Sequence, residues 1–445
     1  MDLEKIRSNT VKVMLQFSIP AIIAMVLTSL ISIADGYFAG NYVGKEGIAA
    51  VNLGLPILYL YLALGLMMSV GGVAIAGIAL GKKDLKKSNN VFNQTILTTL
   101  IISVVLSIIV LLFFVPVMNM LHVSNEVETY FRQYYMIMIF VYPIMILNSS
   151  FGMFIRGEGN PQFFMMVSIL CVICNIILDY LFVRWFSWGI VGIAVASLIS
   201  VLLGALCSIS FFLNKSNIFK FQKFDFSKED LTNTILNGGS EFIGEMSMCI
   251  AMYAYNWVIM KNFGVDGVAA FTIVGYTSYI FSMVIIGFGQ GASPLLSFTY
   301  GAKELELVKR IRRIANLFAF CAGIIVMFFM LASADWYSKL FVKNENVTTM
   351  VDSGIKIFVI SFLFEGVNTI TSMYFTSIGK AKESAIISSS RGLVILLICI
   401  FTLPVLFGIT GVWLVGPVTE VVTILLTLYF IWANDRDVKK VQRCI

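Results

Sequence analysis

Residues 31–54 read ISIADGYFAGNYVGKEGIAAVNLG and decide the class of fold. Asp35 lies late in an apolar run of membrane-spanning length that begins near residue 13. A charged side chain at the centre of a spanning helix costs about 2.5–3.5 kcal/mol or more, so this carboxylate needs a partner or a function. Gly40, Gly44 and Gly47 follow it and predict a tight turn before a second apolar run begins.

The composition predicts an all-α polytopic membrane protein. Of 445 residues, 59% are hydrophobic and 13% are charged, which is about half the charged fraction of a soluble domain. Apolar runs of about 20 residues between short charged loops are typical of transmembrane helices. The pattern predicts twelve spans, near residues 13–35, 48–79, 91–117, 131–154, 162–183, 188–213, 233–260, 268–298, 314–334, 352–377, 384–407 and 411–432.

Basic residues predict the orientation of these spans. Of the 31 Lys and Arg residues, all but seven lie in one set of loops or in the two tails. The seven on the opposite side are Lys45, Arg132, Arg184, Lys261, Lys339, Lys343 and Lys356. The positive-inside rule then places both termini in the cytoplasm, as an even number of spans requires. The absence of a cleavable signal and this charge pattern predict a multi-pass protein of the bacterial cytoplasmic membrane.

The chain repeats itself at a spacing of 220 residues. GIAAV at 47–51 recurs as GVAAF at 267–271, Gly44 matches Gly264, and Gly159 matches Gly379. A duplicated six-span unit predicts two pseudo-symmetric six-helix bundles, an arrangement that alternating-access transporters use. We predict an N-terminal lobe at 1–213, a cytoplasmic linker at 214–232 and a C-terminal lobe at 233–445.

Several function classes are excluded by residues that the sequence lacks. It contains no GxxxxGK[ST] phosphate loop, and His122 is its single histidine, so neither a nucleotide-driven motor nor a histidine-based catalytic site is expected. The basic residues behind the net charge of +6 are concentrated in alternate loops, as orientation in a membrane requires, and so do not indicate binding to nucleic acid. We expect no enzyme, no organic cofactor and, if the protein transports, energy from an ion or substrate gradient.

The buried charges are the candidate functional residues. Asn175 and Asp179 lie four residues apart, on one face of a helix. Their oxygens suit Na⁺ or a shared proton, although an interhelical hydrogen-bonded pair remains the alternative. Glu241 and Glu245 form a second such pair. Because like charges repel, both carboxylates are expected to be ionised only beside a bound cation or where water at the entrance of a cavity solvates them.

The remaining intramembrane candidates are single residues. Glu365 and Glu420 could meet a cationic substrate or could hydrogen-bond a neighbour. Arg391 is expected near a cytoplasmic helix end, where its side chain can reach the interface. Aromatic residues near the second acidic pair, among them Tyr255, could line a pocket for flat organic cations or could simply pack.

Four motifs together resemble the multidrug and toxic compound extrusion (MATE) transporters of bacteria. These are FSIPAII around Pro20, ADGYFAGNYVG from Ala34, RGEGNPQ after the fourth span and NIILD in the fifth. The resemblance covers nearly the whole chain. It implies two lobes around a V-shaped cavity and export of cationic, lipophilic drugs in exchange for H⁺ or Na⁺ by alternating access.

The resemblance also implies particular roles for residues. A first-lobe cation site, possible for Na⁺, would use Asp35, Asn175 and Asp179, with a hydroxyl ligand from Ser197. Substrate or a second-lobe cation would meet Glu241, Glu245, Glu365 and Tyr255. Pro20 would let the first span bend, and the chain would function as a monomer in the lipid bilayer. The alternative is a flippase for lipid-linked oligosaccharides, whose cavity should instead be lined by Arg and Lys.

Overall fold

The computed structural model describes residues 2–341 and 345–443, and within these ranges the chain is helical apart from short connections. Lys343, which the orientation argument counts, lies outside the described residues. The α-helices are α1 (Leu3–Ser8), α2 (Thr10–Phe38), α3 (Lys45–Leu53), α4 (Leu55–Gly81), α5 (Leu85–Leu112), α6 (Phe114–Met120), α7 (Asn125–Glu158), α8 (Pro161–Asp179), α9 (Gly189–Asn214), α10 (Lys228–Gly301), α11 (Leu305–Phe341), α12 (Glu345–Phe358), α13 (Ser361–Ser377), α14 (Ala381–Ser389) and α15 (Ile395–Arg443). Three π-helical turns extend α2, α8 and α14, at Ala39–Val43, Tyr180–Trp185 and Ser390–Val394.

The helices confirm a polytopic membrane protein. Nine helical segments in the described part are long and apolar enough to span a bilayer, and α12 with α13, bent by 53°, adds a tenth. At about 1.5 Å per residue, the 74 residues of α10 are far too long for one crossing of an approximately 30 Å hydrocarbon layer. α10 is kinked at Gly264 and α15 at Gly408. Each of the two therefore supplies two spans, which gives twelve crossings.

The predicted repeat recurs in the backbone. Left-handed residues occur at Gly44 and Gly264 (φ 105° and 66°) and again at Lys83 and Lys303 (φ 64° and 62°), with a spacing of 220 residues in both pairs. A hydrogen bond recurs in the same way. Ser208 donates to Asn148 Oδ1 at 2.7 Å, and Thr427 donates to Asn368 Oδ1 at 2.8 Å. Two copies of one helical unit explain both observations. We call residues 2–214 the first half and residues 228–443 the second half; their behaviour as separate lobes stays a prediction.

Residues 215–227, the connecting segment, link the halves without regular structure. Polar side chains of α5 bind its backbone. Asn89 Oδ1 accepts from Lys220 N at 2.8 Å, Asn93 donates to the carbonyl of Lys220 at 2.9 Å, and Gln94 donates to the carbonyl of Ser227 at 2.8 Å. These amides satisfy backbone groups that helix or sheet would otherwise pair. The connecting segment is therefore fixed onto the first half and is not a free tether.

The carboxylate of Glu158, at the end of α7, fixes the start of the same segment. It accepts hydrogen bonds from Ser216 Oγ and Asn217 N, both at 2.6 Å, and from Ile218 N at 3.1 Å. A buried carboxylate is stabilised by several such donors. Glu158 thus acts as the anchor between the fourth span and the connecting segment.

The halves meet along glycines of α4 and α10. A Cβ atom added at Gly81 would lie 2.1 Å from the carbonyl oxygen of Phe298, and one added at Gly301 would lie 2.1 Å from that of Ile78. A Cβ atom added at Gly77 would likewise lie 2.2 Å from the hydroxyl oxygen of Ser297, which is the repeat equivalent of Gly77. We call these contacts the glycine seam. It lies at the end of the bundle that carries Lys82 and the other basic loop residues, so the halves are closed there.

Candidate functional site

The first-half cluster is built from three helices. Asp35 lies near the end of α2, Asn175 and Asp179 lie in the last turns of α8, and Ser197 comes from α9. Asp35 is 7% exposed, and Asn175 and Asp179 are fully buried. A π-helical turn follows directly after α8 and closely after Asp35, and such turns are frequent at functional sites.

These four residues contact one another. Ser197 Oγ donates to Asp35 Oδ2 at 3.3 Å, and Asn175 Nδ2 donates to Ser197 Oγ at 3.4 Å. Asp179 lies beside Asp35, so two carboxylates share one buried site. The structure thus brings together the four residues that the resemblance groups.

Four oxygens of this cluster lack a hydrogen-bond donor. Within the described ranges, Asp35 Oδ1, Asn175 Oδ1 and both carboxylate oxygens of Asp179 are buried without a partner. A buried acceptor without a partner costs about 1–3 kcal/mol, and more when it is charged. A small cation or a proton would satisfy these oxygens, and oxygen ligands suit a hard cation. The described residues contain no group of three or more His, Cys, Asp and Glu residues suited to a metal ion, so a site for a softer metal is not indicated there.

Two tyrosines of α7 border this cluster, and the sequence reasoning missed them. Tyr134 lies within electrostatic range of both Asp35 and Asp179, and Tyr142 within range of Asp35. Both are buried. Tyrosine hydroxyls in mid-span, within QYYMIMIFVYP at 133–143, were the available signal. Their hydroxyls add polar oxygens to the surroundings of the two carboxylates.

Glu241 and Glu245 lie on one face of the first part of α10 and are half-buried. No hydrogen bond or ion pair engages either carboxylate among the described residues. Glu245 lies close to Tyr59 of α4. Tyr279, from the second part of α10, also lies close to Tyr59. An unpaired acid beside an aromatic side chain is the kind of surface that attracts organic cations. The sequence analysis had not found Tyr59.

Glu365 is placed differently, in a network of charges within the second half. Arg391 Nη2 pairs with Glu365 Oε1 at 3.1 Å, and Arg391 Nε pairs with Glu420 Oε1 at 2.5 Å. Ser282 donates to Glu365, and Asn368 donates to Glu420 Oε2 at 2.8 Å. Of the two interpretations left open for Glu365 and Glu420, the structure favours hydrogen bonding to a neighbour. Arg391, which could have reached the interface from a helix end, is instead held between helices by two buried acids and has a structural role.

Tyr255 lies in the apolar core of the second half. It is 8% exposed, and its ring stacks on that of Phe271 with centroids 4.3 Å apart. Tyr255 and its neighbour Cys399 are the repeat equivalents of Asp35 and Asp179. The second half therefore holds no acidic pair at the equivalent place, and the structure favours packing over pocket lining for Tyr255.

Pro20 lies buried inside α2, which continues through it from Thr10 to Phe38. A proline at this position removes one backbone hydrogen bond and favours bending there. Its role as a hinge stays a prediction.

Arg156 is a buried cation that the sequence reasoning passed over within RGEGNPQ. It is 3% exposed, and its Nη2 donates across the halves to Gln290 Oε1 at 3.1 Å. Its guanidinium also lies over the ring of Phe164, 5.3 Å from the centroid. Its place at the end of α7 was the available signal, because basic residues favour the C-terminal turn of a helix.

Comparison with known proteins gives a family and close structural likenesses. The MatE family model matches residues 20–181 and 241–401. The chain is 25% identical over 96% of its length to the multidrug export protein MepA of Staphylococcus haemolyticus, and covers 94% of that relative. It is 24% identical over 91% of its length to MepA of Staphylococcus aureus strain MSSA476, and covers 90% of that protein.

Solved structures agree in fold. The chain matches a structure described as the outward-facing conformation of a multidrug resistance MATE family transporter, with a TM-score of 0.89, 25% identity and 96% of each chain covered. It also matches the Vibrio cholerae MATE transporter VcmN with a TM-score of 0.89 over 98% of each chain. Identity to VcmN is 18%, so that likeness concerns the fold alone.

Proposed function

Because the chain belongs to the MATE family of membrane transporters, which are not enzymes, we propose that it exports cationic, lipophilic compounds. Export would be driven by exchange for Na⁺ or H⁺ through alternating access. Two kinds of observation support the proposal. The relatives that resemble this chain over nearly its whole length are named as multidrug export proteins, and the first half contains a buried acidic cluster with unsatisfied oxygens.

The first-half cluster is the proposed coupling site. Asp35 and Asp179 place two carboxylates in a buried position where repulsion between them and desolvation both oppose full ionisation. Na⁺ would bind the free oxygens of Asp35, Asn175 and Asp179 with Ser197 nearby, whereas H⁺ would bind one carboxylate. Either ion removes negative charge from the site. The four acceptor oxygens without donors are the observation on which this assignment rests.

The glycine seam supplies the conformational part of the proposal. The halves are closed at the basic end, which is the predicted cytoplasmic end, so we assign the described state to one with the cavity open to the outside. A solved relative with a TM-score of 0.89 is described as outward-facing. Opening the other way requires the seam to separate, and a bend of α2 at Pro20 would carry Asp35 with it. A ligand shifts this equilibrium only by its differential affinity for the two states.

Glu241 and Glu245 are the proposed contacts for the cationic substrate. Glu245 lies close to Tyr59 of the first half, which in turn lies close to Tyr279 of the second half, and neither carboxylate is engaged elsewhere in the described part of the chain. Glu365 is less suited to substrate because Arg391 already neutralises it at 3.1 Å. Substrate bound between the halves would compete with closure of the cavity, and ion binding at Asp35 would act on the same equilibrium.

The flippase alternative finds less support. An anionic lipid-linked glycan would need unpaired Arg or Lys along the cavity. Arg391 is bound by two carboxylates, and Arg156 is buried at the closed end against Gln290. Arg156 has no carboxylate partner either, but it lies at the closed end. Away from that end, the unpaired charges that we find between the halves are the acids Glu241 and Glu245, which favours a cationic substrate. We further propose that the protein acts as a monomer in the bacterial cytoplasmic membrane, with both termini inside.

Transport by purified protein in liposomes tests the proposal. Ethidium movement would be followed while a Na⁺ gradient and a pH gradient are imposed separately, for the natural chain, Asp35→Asn, and Glu126→Gln as a control that removes an exposed acid. We expect one gradient to drive transport by the natural chain and the control, and neither to drive Asp35→Asn. Equal gradient-driven transport by Asp35→Asn would overturn the coupling assignment, and no transport by the natural chain under either gradient would overturn the function.

A further inference from the structure

A groove opens on the outside of the bundle where the two halves adjoin near the basic end. It has a volume of about 710 Å³ and lies between the start of α2, Gln162 of α8 and Arg310 of α11. α2 and α8 belong to the first half and α11 to the second. The volume falls within the approximate range of 300–1,000 Å³ that is common for ligand sites. The groove is separate from the Asp35 cluster and from the Glu241 and Glu245 pair.

Two basic side chains and several aliphatic ones line the groove, and we call the basic pair the rim. Lys12 and Arg310 are the charged lining residues, and the described lining includes no acid. Arg310 Nη1 donates to the carbonyl of Arg7 at 3.3 Å, which fixes one end of its guanidinium and leaves its other donors available. Arg7 is itself neutralised by Glu304 at 2.7 Å. The rim therefore carries two positive charges without a protein counter-ion in the lining.

The apolar part continues along one face of α2. Leu15 and Ile19 follow Lys12 at spacings of three and seven residues, so they share its helical face. At about 1.5 Å per residue, Ile19 lies about 10 Å further along the helix than Lys12. Leu15 is 36% exposed and Ile19 50% exposed, and Pro20 also lines the groove. Charge at one end and exposed aliphatic side chains at the other match the polarity of one bilayer leaflet.

We propose that this groove binds an anionic phospholipid of the leaflet at the basic end of the bundle. Its phosphate would contact Lys12 and Arg310, with hydrogen bonding from Gln162, and its acyl chain would lie along Leu15 and Ile19. Basic pockets between transmembrane helices on the cytoplasmic side are known to bind lipid head groups. A zwitterionic lipid carries no net charge to match the rim. Because the ligand would contact both halves and the helix that contains Pro20, it stabilises the closed arrangement of this end.

Lipid binding to the purified full-length chain tests the proposal. The apparent affinity for phosphatidylglycerol would be measured by native mass spectrometry, with phosphatidylcholine as the zwitterionic comparison. We expect Lys12→Gln combined with Arg310→Gln to weaken phosphatidylglycerol binding about thirtyfold, because each basic residue contributes about 1 kcal/mol toward an anionic membrane lipid. The matched control, Lys82→Gln with Arg313→Gln, removes two exposed charges from the same end outside the groove and should leave the affinity unchanged.

Two further arms identify the source of the phosphate. Inorganic phosphate alone should not displace phosphatidylglycerol, and Ile19→Asn should weaken phosphatidylglycerol binding severalfold although it leaves both rim charges in place. Displacement by inorganic phosphate together with no effect of Ile19→Asn would show a free-anion site and overturn the lipid assignment. Equal affinity for the two lipids, or equal losses in the groove variant and its control, would overturn it as well. All variants are compared at the same ionic strength, because surface charges are screened by salt.

Discussion

Replacing Arg391 by methionine should strongly destabilise the second half. Its guanidinium is held between Glu365 and Glu420, at 3.1 and 2.5 Å, and its side chain is 27% exposed. Removing one partner of a buried ion pair costs about 3–5 kcal/mol, because a charge is left without compensation. Here two carboxylates lose the same partner. Glu365→Gln leaves the Arg391–Glu420 pair intact and keeps an acceptor for Ser282, so we expect it to cost at most about 1.5 kcal/mol.

Denaturant titration of the purified proteins in detergent measures this difference in the free energy of unfolding. The order of stabilities should be natural chain, Glu365→Gln, then Arg391→Met. A triple variant with Arg391→Met, Glu365→Gln and Glu420→Gln should recover much of the loss, since no charge is then left buried. Arg391→Met as stable as the natural chain would refute the network as we describe it, and so would a triple variant less stable than Arg391→Met alone.

Three other regions give further predictions. Gly81→Val should force the glycine seam apart and make a cysteine introduced at the basic end beside the seam more reactive toward an impermeant thiol reagent, whereas Gly239→Ala, where an added Cβ meets open space, should not. Glu158→Ala should speed hydrogen exchange at the amides of Asn217 and Ile218, because it removes their acceptor; unchanged exchange would contradict the anchor. Ser197→Ala should weaken ion-coupled transport severalfold whereas Ser197→Thr, which keeps the hydroxyl, should not, and equal transport rates in the two variants would exclude a role for the hydroxyl.

The sequence predicted the elements that rest on periodicity and spacing. Twelve apolar runs indicated the spans, and the 220-residue repeat recurs in the left-handed conformations of Gly44 and Gly264. Asn175 and Asp179 could be grouped because four residues along a helix bring side chains to one face. The positions of the helix breaks were harder to predict. In α10 and in α15, two spans are joined at a single left-handed glycine, Gly264 or Gly408, and hydropathy does not locate that residue.

Contacts between distant helices could not be predicted in this way. Arg391 meets Glu365 and Glu420 only because α13, α15 and the π-helical turn at 390–394 pack together. Neither hydropathy nor helical spacing specifies which neighbour a buried charge will face. The same limit explains why Tyr59 was missed beside Glu245, and why the polar side chains of α5 were not connected with residues 215–227.

Equilibrium binding of ethidium to the purified protein, titrated at several Na⁺ concentrations and pH values, tests most directly whether a small cation at Asp35 is coupled to the substrate. In exchange transport, binding of the ion and binding of the substrate oppose each other. Because coupling between two sites is reciprocal, the coupling ion must lower the affinity for ethidium. We expect higher Na⁺ or lower pH to weaken ethidium binding to the natural chain. Asp35→Asn should still bind ethidium, without any Na⁺ dependence and with only the pH dependence that protonation of Glu241 and Glu245 contributes. Ethidium affinity that ignores both ions in the natural chain, or that responds equally to them in Asp35→Asn, would contradict coupling at Asp35.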